Sequence, residues 1–479
     1  MPSYLVELLV LVLGLALLLA ESFFPAGQRR DVLAGVGIIG LAVVFLLLQF
    51  VPFSPSGSPS YVSDAPALFF KKFAVLTTIV VLIMALDYSE TIRRFIHAAT
   101  PQAGLGEYYS LPILTCAGMM WMASAADFIL IFVSLELVTI SFYILVAYMR
   151  RNAASLEAGV KYLILGALST GFMIYGITWI YGITRQTNLG AIQQVLPSIA
   201  PVNQPGLLFG ALLVLVGLGF KIAAAPFQFW VPDVYQGAPT PTTAFLSVGS
   251  KAVGFIVLLR VVQSLQSLPF VANKVVLALV LLAAATLVYG NMAALPQTNF
   301  KRLLAYSSIG HAGYLLMAVA SVGVQDAGRA VVVYLAAYLL MTLLSFLVLI
   351  NVANHSAGDD IAHFNGLARR SPFLAFSLLV AMMSLAGVPL TAGFLGKFMV
   401  FKVAFESRQF VLLVLAVITV GCGFYYYLKV VRAMYWQASS TGDASIINLT
   451  PLSTATMAVL LVLIFALGIF PQLALGLLR

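Results

Sequence analysis

GLGFKIAAAPFQFWVPDVYQGAPTPTTAFLSVGSK, from Gly217 to Lys251, decides how the rest of the chain is read. It begins as an apolar helix with Lys221 inside it. Pro226 and Pro232 interrupt that helix, because proline lacks the N–H and crowds the preceding turn. Pro239 and Pro241 open a second apolar helix, which carries Lys251 about nine residues in, or ~14 Å of helical rise. Charged side chains inside a membrane helix are costly and mark function. Non-helical backbone at that depth is tolerated only where protein or a wet cavity surrounds it. Two lysines flanking a broken helix therefore point to an ion or proton path.

The composition supports a membrane setting. Of 479 residues, 62% are hydrophobic and 9% charged, where a soluble domain has roughly a quarter charged. A spanning helix needs ~20 mostly apolar residues. The polar breaks predict an all-α polytopic protein of about fourteen spans at that length. These run over 4–24, 32–52, 68–86, 108–125, 127–149, 156–183, 206–227, 241–263, 274–295, 301–323, 328–352, 372–401, 408–435 and 450–471. Little chain remains for a water-facing catalytic domain. The N-terminus, MPSYLVELL, has no basic n-region, so span 1 is expected to be retained.

The net charge of +9 reads as topology rather than nucleic-acid binding, because Lys and Arg collect in short loops. No basic cluster with interleaved aromatics occurs. The arginine pairs Arg29–Arg30, Arg93–Arg94, Arg150–Arg151 and Arg369–Arg370 all fall in odd-numbered loops. That bias predicts odd loops in the cytoplasm and both termini on the outer face of a bacterial inner membrane. Lys71 and Lys72 are placed in an even loop.

Two blocks of five spans have parallel plans. The first, 108–263, has a broken fourth helix near 226–232 with Lys221. The second, 274–435, has a broken fourth helix at Pro389 followed by Lys397. Five spans reverse the orientation of the block that follows, so the two form an inverted repeat, the usual frame of a transport site. Residues 1–107 hold three flanking spans, and 436–479 a loop and the last span. The stretches 53–67 and 436–448 read as linkers. The polar loop 351–371 is either a docking surface or a solvated connection.

Glu136 lies about nine residues into span 5, or ~14 Å along the helix, near the middle of a ~30 Å hydrocarbon core. It is the only acid placed deep in a span; Glu7, Glu21, Asp127 and Glu157 fall near ends. A lone buried carboxylate takes up a proton, whereas one beside an ammonium can ionise. Lys221, in the same block, is its expected partner. A lysine held dry gives up its proton more readily, which suits Lys221, Lys251 and Lys397 to accept and release one. These lysines and Glu136 cost ~2.5–3.5 kcal/mol each on the translocon scale. The plain alternative is that each lysine snorkels to an interface. Lys161, four residues after Glu157, fits that alternative best. His311, in KRLLAYSSIGHAGYLLM, is the only histidine inside a predicted span, and Tyr306, Ser307 and Ser308 could hold water near it. Its ordinary pKa near 6.5 suits a relay between the blocks; a packing histidine is the alternative.

Several chemistries find no support. Gly35-Val-Gly37-Ile-Ile-Gly40 fits G-x-G-x-x-G but lies within an apolar span, so it reads as helix-packing glycine. Cys116 and Cys422 are far apart, in spans, and read as small buried hydrophobes. There is no metal-ligand cluster, and one intramembrane histidine does not make a bis-histidine haem site. The chain is expected to carry no redox cofactor.

APFQFWVPDVYQGAPTPTTAFLSVGSKAVGF, FKRLLAYSSIGHAGYLLMA and AGVPLTAGFLGKF closely resemble the antiporter-like subunits of proton-pumping NADH:quinone oxidoreductase, respiratory complex I. The resemblance covers roughly 105–435, and PDVYQGAPTP resembles the N-type members. It implies a proton-translocating membrane-arm subunit, with Glu136 and Lys221 a modulating pair, Lys251 a central relay, His311 a link between halves and Lys397 a terminal residue. It also implies quinone, FMN and iron–sulfur clusters bound by other subunits, with a neighbouring M subunit and the small K, J and A subunits as partners. The alternatives are a cation/proton antiporter subunit of the Mrp type and a scaffold without pumping. Gln228 stands where the family commonly has histidine, and an amide cannot hold an extra proton near pH 7.

Overall fold

The computed structural model describes residues 4–23, 31–50, 59–96, 105–355, 358–438, 447 and 449–476. Arg29, Arg30, His97, Arg479, both chain ends and much of the two linkers fall outside them. Among the described residues the chain is helical, with isolated β-bridges and no named strand.

Every predicted span has a helical counterpart. Spans 1 to 6 are Leu5–Phe23, Asp31–Leu47, Ala65–Asp87, Gly106–Ser124, Phe128–Val146 and Ala153–Thr184. Span 7 is broken into Gln204–Ile222 and Trp230–Gly237. Span 8 runs Thr240–Ser264, with a π-helical stretch over Leu246–Ser250. Spans 9 to 11 are Pro269–Ala294, Phe300–Ala320 and Ala327–Ala353. Span 12 is broken into Pro372–Ala386 and Ala392–Glu406, and spans 13 and 14 are Phe410–Trp436 and Pro451–Ile469. Among the described residues, 11 helices are long and apolar enough to cross a membrane unaided. Span 7 is among them through its first piece, whereas span 2 and the first piece of broken span 12 are shorter apolar helices.

Helix ends carry the polar groups that hydrocarbon cannot supply. Asp64 Oδ1 accepts from Ala67 N at 2.8 Å, Asp127 Oδ1 from Ile129 N at 2.8 Å, and Asn299 Oδ1 from Arg302 N at 3.1 Å. These side chains satisfy first-turn N–H groups. Span 7 stops where Ala223 turns left-handed (φ 64°), and span 12 where Gly387 does so (φ 90°).

Burial orders the bundle. The apolar windows of spans 8, 10 and 11 are 94%, 100% and 94% buried, against 28% for spans 1, 6 and 14. Spans 9 and 10 cross at Gly290, where an added Cβ would lie 2.4 Å from Gly310 N. Small residues let membrane helices approach this closely. Gly37 and Gly40 likewise abut Ile113 and Leu13, as packing glycines do; Gly35 faces open space. Cys116 is buried and Cys422 half-buried, both as free thiols.

Two placements correct the sequence reading. Lys71 is not a loop residue: it lies inside span 3, fully buried, 2.8 Å from Glu7 Oε1. Glu7, although in the first turn of span 1, is fully buried too, so an acid at a span end is not hydrated here. Elsewhere, in the polar loop, Asp359 O accepts from Phe300 N and Ile361 N donates to Thr298 O, and Lys301 lies 3.4 Å from Asp359.

Candidate functional site

The central helices carry three of the five singled-out residues into one array. Lys251 follows directly on the π-helical stretch. Such a stretch shifts the ladder by one residue and is frequent at functional sites. Here it aims the ammonium at span 10: Lys251 Nζ donates to Ser308 O at 2.6 Å and also touches Ser308 Oγ. The ammonium also lies 5.5 Å from the centre of the Tyr338 ring, within cation–π range.

His311 lies three residues beyond Ser308 on the same helix. Its Nδ1 is 2.7 Å from the Tyr334 hydroxyl and its Nε2 3.1 Å from the Tyr427 hydroxyl, which also contacts Ser307 Oγ. One ring nitrogen donates and the other accepts in neutral imidazole; both donate in the cation. The Tyr338 ring is 5.2 Å from the imidazole on one side, and the Tyr314 ring 6.2 Å on another.

Lys397 completes the array. Its Nζ lies 5.2 Å from the centre of the Tyr314 ring and donates to Leu385 O at 3.0 Å and Ala386 O at 2.7 Å. These are the last carbonyls before the break in span 12, left without intrahelical donors. A cation there also faces the negative end of the helix dipole. Lysine, tyrosine, histidine, tyrosine and lysine thus succeed one another through the buried middle of the bundle, all 6% exposed or less.

Glu136 and Lys221 make a separate cluster, and the expected ion pair between them is not formed. Lys221 Nζ donates to Thr139 Oγ1 at 2.9 Å, while Glu136 Oε1 accepts from Thr170 Oγ1 at 3.0 Å. Thr139 sits about one turn beyond Glu136, so it meets the lysine while the half-buried carboxylate leans toward span 6. A cleft of about 10 Å³, lined by the two threonines and Lys221, is the size one water needs, roughly 10–15 Å³.

Lys161 is no part of the array. It is bonded to Glu157 and Asp233, each at 2.7 Å, and Asp233 also pairs with Arg302 at 3.0 Å. The aspartate of PDVYQG therefore ties spans 6 and 10 to the second half of span 7. Gln228 is buried beside Tyr289, its Oε1 without a hydrogen-bond partner. Tyr306 packs against Tyr289 and Arg302, not against His311.

Sequence reasoning missed the tyrosines. Tyr334 and Tyr338 are four residues apart on span 11, hence on one face, and Tyr314 is three beyond His311. That spacing was a usable signal, but aromatics on apolar spans are common enough to hide it. Among the described residues, no group of three or more His, Cys, Asp or Glu side chains is placed to hold a metal.

Comparison with known proteins agrees with this architecture. Residues 125–423 match the family described as NADH:quinone oxidoreductase/Mrp antiporter, TM. The chain is 39% identical over 470 residues to NADH-quinone oxidoreductase subunit N 2 of Chloroherpeton thalassium, covering 95% of this chain and 90% of that one. It is 39% identical over 471 residues to subunit N of Moorella thermoacetica, covering 97% and 95%. A chain of respiratory complex I from Thermus thermophilus superposes with a TM-score of 0.82 at 34% identity, covering 98% of each chain. A chain of the Mrp complex from Dietzia, at 19% identity and TM-score 0.78 over 99% of this chain and 96% of that one, shares the fold. The chain belongs to the NADH:quinone oxidoreductase/Mrp antiporter membrane-subunit family, on its NADH-quinone oxidoreductase subunit N branch.

Proposed function

We propose that this membrane subunit of NADH-quinone oxidoreductase translocates protons from Lys251 through Ser308, Ser307, Tyr427, His311 and Tyr334 to Lys397, with Glu136 and Lys221 as the modulating end of the array. The observation that carries the reading is the array itself. Three ionisable side chains, buried at a cost of ~2.5–3.5 kcal/mol per charged lysine, lie in a row with hydroxyl groups between them. A hydroxyl accepts one proton while donating another. Lys251 therefore hands a proton to Ser308, a water bridges the adjacent Ser307, and Tyr427 passes it to His311 Nε2. A second proton leaves His311 Nδ1 toward Tyr334, and water carries it to Lys397. The water-sized cleft lined by Thr139 and Thr170 lets Glu136 and Lys221 approach or part, which changes how firmly Lys221 holds its proton.

Redox chemistry belongs to other subunits in this reading: FMN and iron–sulfur clusters lie outside this chain, and quinone is bound elsewhere in the complex. The partners are the neighbouring M subunit and the small K, J and A subunits. The odd loops face the cytoplasm of a bacterial inner membrane. The test is Lys251→Met in the assembled complex, reconstituted in vesicles, with quinone reduction and proton uptake followed together. Both should fall while assembly persists. Full turnover with full pumping removes Lys251 from the path.

A further inference from the structure

Lys71 and Lys72 are neighbours with opposite fates. Lys71 turns into the bundle toward Glu7. Lys72 turns the other way, into an open cleft of about 530 Å³ lined by spans 2, 3, 11 and 14. Its walls are apolar, with Phe45, Phe73, Leu340 and Leu467 among them. Its polar side chains are Lys72 and Gln49, and Lys72 Nζ donates to Gln49 Oε1 at 2.9 Å.

Depth gives the cleft a direction. Lys72 starts about seven residues into span 3, or ~10 Å from its first residue. Gln49 lies just past Leu47, the last residue of span 2. The lysine stem therefore climbs along apolar surface to the level where span 2 ends, as a snorkelling lysine does. Below it the apolar walls descend past Ala336, which is only 8% exposed, to Leu340 one turn further along span 11. Tyr334 and Tyr338, to either side of Ala336 in sequence, make the contacts with His311 and Lys251 described above.

Apolar walls at this depth meet acyl chain or protein, never water. Charge selects between them. Among the described residues no carboxylate pairs with Lys72; its partner is a neutral amide. An unpaired ammonium at headgroup level attracts anionic lipid, and a phosphate makes a charge-assisted bond with it. We propose that this cleft binds one anionic phospholipid, its phosphate on Lys72 and Gln49 and one acyl chain running down past Ala336 to Leu340. The lipid would back the helix that carries Tyr334 and Tyr338. The proposal stands apart from the proton path, since a chain with no pumping role would bind the same lipid.

The test uses the whole purified complex in vesicles of phosphatidylcholine with phosphatidylglycerol carrying a photoactivatable acyl chain. Mass spectrometry locates the adducts. They are expected at Leu340 and Leu467, displaced by unlabelled phosphatidylglycerol and not by phosphatidylcholine. Lys72→Gln should lower them about fivefold, the effect of one basic residue at an anionic surface. Ala336→Phe should abolish them by blocking the path of the acyl chain to Leu340; should that variant not assemble, Lys72→Gln alone decides. Equal labelling by a phosphatidylcholine probe, indifferent to Lys72→Gln, overturns the proposal. So does crosslinking of a photoreactive phenylalanine at position 73 to another polypeptide in place of lipid.

Discussion

Lys71→Met should damage this protein more than any loss of surface charge, and Glu7→Gln should repair it. Both side chains are fully buried, with Lys71 Nζ 2.8 Å from Glu7 Oε1. Tyr61 donates to the same carboxylate oxygen at 2.7 Å, and Lys71 donates to the Tyr61 hydroxyl at 2.6 Å. Glu7 Oε2 has no partner. Removing the ammonium leaves a buried carboxylate with one donor, at ~3–5 kcal/mol. Glu7→Gln alone strands the ammonium at a similar cost. The double variant strands neither charge, and because a buried pair returns little net stability, its cost should be near zero. The singles therefore sum to roughly 6–10 kcal/mol while the double loses about 1 or less. Assembled complex on native gels and the midpoint of heat inactivation, across the four members of the cycle, measure this. Singles indistinguishable from the parent would mean that the pair is hydrated. A double no better than the worse single would mean that the Tyr61 geometry matters and the charges do not.

Three further perturbations test other features. Gly387→Ala places a Cβ 2.8 Å from Lys397 Cδ at a φ of 90°; the strain, on the order of 1–2 kcal/mol, should spare assembly but cut pumping, and unchanged pumping would free Lys397 from its carbonyl seat. Gln228→His should assemble and turn over, since the amide oxygen it removes has no hydrogen-bond partner to lose; loss of the complex would assign the position to packing. Asp326 accepts a hydrogen bond from Lys402 at 3.0 Å, which holds its carboxyl below the ordinary 3.8. Because the folded value is the lower one, the contact stabilises the loop above pH 3.8 and that contribution fades as pH falls through the folded value. Protection from hydrogen exchange at 321–327, taken relative to the intrinsic rate at each pH, should therefore fall on acidification, and Asp326→Asn should remove that dependence.

The spans were legible because hydrocarbon imposes a single rule, ~20 apolar residues with all backbone bonds internal. The two breaks were legible through Pro226 and Pro389, although the residues that turn left-handed are Ala223, Gly387 and Leu390. Lys221, Lys251, His311 and Lys397 stood out because a polar group amid apolar ones is expensive wherever it ends up. The same reasoning failed for Glu7 and Lys71. Near span ends, position along the helix does not say whether a side chain faces water or a neighbouring helix.

What the sequence determined by itself is therefore the set of helices, the places where they break and the charges they carry. These follow from local composition and from the cost of unmet backbone groups. Tertiary structure alone decided which charges meet. It set Lys251, His311 and Lys397 among Tyr338, Tyr314, Tyr334 and Tyr427, and it parted Glu136 from Lys221 by a pair of threonines. Contacts between helices depend on how each is rotated about its axis. That rotation is fixed by the packing of every face at once, as where Gly290 lets span 10 approach, and no single span encodes it.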